Sequence, residues 1–99
     1  MVCEMPVGPE RDALVARHLG LPLRPWSTDD GLVGELTEAV MAQEGMRHID
    51  LQRTGSKYYP WSCAIWGGGD EQLGQTPADA LSQAVLYEME MDYHQYTPW

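Results

Sequence analysis

The apolar residues of this chain change their spacing near Met46, and that change limits the folds open to it. From Ser27 onward, Leu32, Val33, Leu36, Val40 and Met41 recur at helical intervals, with Glu35 and Glu38 falling between them. In "RHIDLQR", residues 47–53, Ile49 and Leu51 instead alternate with His48, Asp50 and Gln52, which is the period of a strand with one buried face. Helical spacing returns after Thr76. A chain that passes from helix to strand and back to helix is an α+β domain.

The flanking elements have recognisable ends. "GPERDALVARHLG" predicts a first helix with Pro9 in its first turn and Gly20 as a left-handed cap, burying Leu14, Val15 and Leu19 and leaving Arg11 and Arg17 in water. Ser27 and Asp30 read as a capping box for the second helix, with both Asp29 and Asp30 at the positive end of its dipole and Gly45 as its terminator. "TGSK" is a turn. "YYPWSCAIW" reads as a second strand with Tyr59, Trp61, Cys63 and Ile65 on one face, and Pro60 places it at an edge or on its outward side. Gly67, Gly68, Gly69 and Asp70 form the next turn, and "EQLGQ" has room only for a short third strand.

Thr76 caps the last helix, with Pro77 at its first position and Asp79 three residues beyond the threonine. Leu81, Ala84, Val85 and Met89 form its inward stripe, while Gln83, Glu88 and Glu90 face solvent. "DYHQYTPW" is an aromatic tail that packs as a strap or awaits a partner. The order is therefore α-α-β-β-β-α, with a small antiparallel sheet of three or four strands sandwiched by helices. Tyr58 and Trp66 fall on the face opposite Trp61, so either helices cover both faces or some aromatics are exposed for a partner.

The 99 residues are read as a single domain, with a core at about 9–91 and a tail at 92–99. A hydrophobic fraction of 43% and four Trp exclude a disordered acidic tail. The net charge is −9, and every Lys and Arg lies at or before Lys57, so the acids of residues 58–99 are unopposed. That balance repels phosphate backbones and argues against direct nucleic-acid binding. Cys3 and Cys63 form no disulfide framework, the N-terminus has no signal pattern, and no apolar run is long enough to cross a bilayer. The expectation is a cytoplasmic protein with no membrane partner.

Catalytic patterns are weak. His18, His48 and His94 have no metal-ligand spacing, and neither cysteine extends them into a zinc pattern, so no metal or cofactor is expected. Cys63 and His48 would make a nucleophile and base only if they shared a side of neighbouring strands. Cys63 falls on the apolar side and His48 alternates away, which favours a buried structural thiol. "GGGDE" lacks the lysine and the helix of a phosphate loop, and Asp70 with Glu71 diverge as neighbours on a turn do. No catalytic residue is assigned. The candidates for partner contact are the acids Asp70, Glu71, Glu88, Glu90 and Asp92 and the aromatics Tyr93, Tyr96 and Trp99.

Taken in order, "ERDALVARHLGL", "RPWSTDDGLVGEL", the central strands and "TPADALSQAVL" resemble the phage ABA sandwich domain over roughly residues 9–91. The resemblance implies an α-β-α layering, a bacteriophage origin and no catalytic residues to transfer. It further implies a non-enzymatic accessory protein that inhibits or modulates a host protein, for instance an anti-CRISPR-like occupant of a basic groove made for nucleic acid. "GQTPADALSQAV" after a short sheet also resembles the antitoxin of HicA–HicB pairs, an acidic protein covering a basic toxin. In that family the sheet precedes the first helix, whereas here two helices come first.

Overall fold

The computed structural model describes residues 6–42, 49–65 and 71–96, with side chains as far as Glu88. Helix α1 spans Pro9–Leu19, a 3-10 turn Asp30–Leu32 leads into α2 at Val33–Met41, and α3 spans Pro77–Tyr96. Strands β1 (Ile49–Arg53), β2 (Trp61–Ile65) and β3 (Gln72–Gly74) form one antiparallel sheet in the order β1-β2-β3. The α+β class, the strand number and the order α-α-β-β-β-α are those the sequence predicts.

Helix α1 begins at Pro9 and ends where Gly20 turns left-handed at φ 69, and Leu21 N donates across that end to Ala16 O at 2.8 Å. The start of α3 also follows its sequence signal. Asp79 N donates to Thr76 Oγ1 at 3.0 Å, and Asp79 Oδ2 accepts from Gln75 N at 2.8 Å.

In the sheet, Ile49 lies opposite Ile65, Leu51 opposite Cys63 and Arg53 opposite Trp61, so these residues share one face. Cys63 and Ile65 are buried and Ile49, Leu51 and Trp61 pack against the same core, whose helical members include Val15, Leu36, Leu81 and Val85. On the other face Asp50, Gln52 and Leu73 are exposed, around the small Ser62 and Ala64. Pro60 is neither in a strand nor at an edge, because β2 is the central strand and starts one residue later. It marks where the ladder stops: Thr54 N donates to Pro60 O at 2.9 Å, and proline has no N–H to return the bond.

Helix α3 is more enclosed than the predicted single stripe. Ala78, Ala80, Leu81, Ser82, Ala84, Val85, Leu86 and Glu88 are all buried, because α3 packs on all three strands and also receives α1 and α2. Small side chains occupy half of these positions, Ala78, Ala80, Ser82 and Ala84. At Gly74 a Cβ would lie 2.7 Å from Ala80 Cα, so β3 needs glycine where it meets the first turn of α3. The sheet therefore gets its helical cover from α3. Tyr58, which a second helical layer would have buried, is 77% exposed.

Candidate functional site

A junction of polar side chains ties the starts of α1 and α3 to the turn before α2. Arg11, expected in water, is buried: its Nη1 donates to Asp79 Oδ1 at 2.7 Å, to Asp79 O at 3.2 Å and to Ser82 Oγ at 3.1 Å. Arg11 faces the first turn of α3, and His18 Nε2 stands 3.9 Å from Glu88 Oε1 further along, so the two helices run parallel. Their positive ends therefore lie at one end of the molecule, where carboxylates are stabilised.

The "STDD" segment serves this junction rather than a capping box of its own. Ser27 is buried, its Oγ accepting from Gly8 N at 3.0 Å and its N–H donating to Asp12 Oδ1 at 2.7 Å. Asp29 caps the 3-10 turn through Gly31 N at 2.9 Å. Asp30 reaches across to α3 and accepts from Ala78 N at 3.0 Å. Trp26 is buried beside them, with its Nε1 donating to Pro22 O and the Arg24 guanidinium 5.4 Å from its ring centroid. Asp12, Asp29, Asp30 and Asp79 each accept from a backbone N–H or a guanidinium, so these carboxylates tie the helix starts together.

The thiol weighed as a nucleophile and read as structural is sealed. Cys63 has no exposed surface, and burial, helped by the charge of Asp50, pushes its thiol up to about 12. A thiol so shifted is protonated at neutral pH and unreactive. His48 lies outside the described residues. Among the described residues no group of three or more His, Cys, Asp or Glu is placed to hold a metal ion, and no helix is long and apolar enough to cross a membrane.

Of the acids singled out for partner contact, Glu71 is exposed at the entry to β3. Glu88 is corrected from the solvent face to the interior: it is 3% exposed, because α1 lies along that side of α3 and brings His18 to it. Glu90, Asp92, Tyr93 and Tyr96 belong to α3, which continues to Tyr96 where the sequence predicts an unpatterned tail from Asp92. Asp92 and Tyr96 are thus about one helical turn apart along the backbone. Asp70 and Trp99 lie outside the described residues. The sequence reading also missed how far the β1–β2 connection projects its tyrosines, since alternation alone assigns Tyr59 to the buried face whereas it is 48% exposed.

Searches against protein-family models, curated proteins and solved structures find no match to this chain. The resemblance to the phage ABA sandwich domain rests on the sequence motifs alone.

Proposed function

We propose that the chain is a non-enzymatic phage or prophage accessory protein that binds a host protein with a basic surface in the host cytoplasm and modulates or inhibits it. An anti-CRISPR-like occupation of a groove made for nucleic acid is its concrete form. The observation that carries this reading is the segregation of charge, since no Lys or Arg follows Lys57 in a chain of net charge −9. Of the six acids beyond that point, Asp79 pairs with Arg11 and Glu88 is buried, which leaves Asp70, Glu71, Glu90 and Asp92 as the contact candidates. Acid side chains presented to a basic groove speed association and lose strength as salt screens them. The sealed state of Cys63 favours this reading over a thiol enzyme.

The test begins with a pull-down from host lysate, with and without nuclease, to recover the partner. Glu71→Gln, Glu90→Gln and Asp92→Asn are then combined, and binding is measured across a salt series. The expected result is weaker binding with a shallower salt slope. Unchanged affinity and slope remove Glu71, Glu90 and Asp92 from the contact surface and turn attention to the aromatics Tyr93, Tyr96 and Trp99.

A further inference from the structure

We propose that the tip of the β1–β2 hairpin, residues 54–60 with the adjoining Arg53 and Trp61, is a docking surface for a short acidic segment of a partner protein. This surface is distinct from the acids invoked above, and the proposal stands without them.

Three observations support it. The first is exposure: Tyr58 is 77% and Tyr59 48% exposed, two adjacent large rings held in water, of the residue type that most often anchors protein interfaces. The second is rigidity. Ser56 Oγ accepts from Tyr58 N at 3.2 Å and from Tyr59 N at 3.3 Å, while Thr54 Oγ1 donates to Tyr59 O at 2.6 Å and accepts from Ser56 N at 3.0 Å. With the bond from Thr54 N to Pro60 O, the backbone beneath the rings is already ordered, so binding has little loop entropy to remove.

The third observation is charge. Residues 51–69 contain no Asp or Glu, whereas Arg53 and Lys57 are both present and both exposed. The Arg53 guanidinium lies 5.4 Å from the Trp61 ring centroid, which holds the cation at the hairpin. The tip is thus a positive aromatic projection on a negative molecule. Carboxylates complement its cations and tyrosine hydroxyls, and the ring faces cover the apolar parts of the same segment. A nucleic acid fits less well, because a polyanion that extends past two cations meets the repulsion of a chain with net charge −9.

The full chain, labelled with nitrogen-15, is titrated at low salt with a blocked peptide of alternating glutamate and leucine residues and, separately, with a thymidine oligonucleotide of equal formal charge. Saturable amide shifts confined to residues 53–61 with the peptide are the expected result. Tyr58→Ser is expected to weaken peptide binding roughly tenfold, as loss of an interface anchor does. Lys57→Glu is expected to weaken it and to change its salt dependence from that of the parent. Both positions are exposed, so both variants should stay folded, with melting temperatures measured alongside: Tyr58→Ser should match the parent, and Lys57→Glu should melt slightly lower because it adds to the negative charge of the chain. The proposal is overturned by absent shifts at the tip, by equal binding of the two variants and the parent, or by tighter binding of the oligonucleotide at the same residues.

Discussion

At the scale of single residues, the side chains that matter most to this fold are those whose partners are remote in sequence. Ser27, Arg11 and Glu88 each carry a local signal, for a cap, a solvated helix face and a polar position, and each is buried instead. Local rules count neighbours three and four residues away, whereas Arg11 and Asp79 are 68 apart in the chain. Cys63 was legible because its signal is local: alternation with Trp61 and Ile65 puts it on the core face, where it lies. Two outcomes follow at this scale. Asp79→Ala leaves the Arg11 guanidinium buried without its carboxylate and is expected to cost about 3–5 kcal/mol in urea unfolding, with part of the loss recovered by adding Arg11→Met. The second concerns pH. The folded chain holds the Cys63 proton more tightly than the unfolded chain, so this contribution to stability is complete below pH 9.0 and is lost as pH rises from there through about 12. Unfolding free energies measured across that alkaline range should fall more steeply for the parent than for Cys63→Ala.

At the scale of elements, the sequence specified beginnings better than surroundings. Pro9, Gly20, Thr76 and Pro77 act through backbone geometry within a few residues, and α1 and α3 start or stop where they say. What periodicity could not convey is that α3 has two packed sides, since a helix rich in Ala and Ser shows little contrast between one face and another. Nor could it show that Asp30, at the start of one helix, caps another. Replacing Asp30 with Ala is therefore expected to cost about 1 kcal/mol and to speed amide exchange at Ala78 rather than within α2. An unchanged Ala78 amide would dissociate Asp30 from α3. Gly74→Ala is expected to be more damaging, about 3 kcal/mol, because the added methyl has the backbone of Ala80 in its way and not a side chain that can swing aside. The same substitution at Gly34, where an added Cβ meets nothing within 4 Å, is the control and should favour the helix.

At the scale of the whole molecule, charge is divided unevenly: the tip of the β1–β2 hairpin carries Arg53 and Lys57 without an acid, and the chain beyond the hairpin carries acids without a base. This was fully legible in the sequence, because counting charges needs no fold. Which acids are free for a partner was not, because that depends on Asp79 and Glu88 being taken up by α1. A net charge of −9 on 99 residues also opposes compaction through self-repulsion. If Glu71, Glu90 and Asp92 are kept for a partner, they should be a burden to the isolated protein. Changing them to Gln, Gln and Asn removes three negative charges from the total of −9, and the variant is expected to melt higher than the parent at low ionic strength. Salt should raise the parent's melting temperature more than the variant's, since screening relieves repulsion that the variant has already lost. A variant that melts lower than the parent would mean that these acids make stabilising contacts of their own, and the acidic surface would then belong to the fold rather than to a partner.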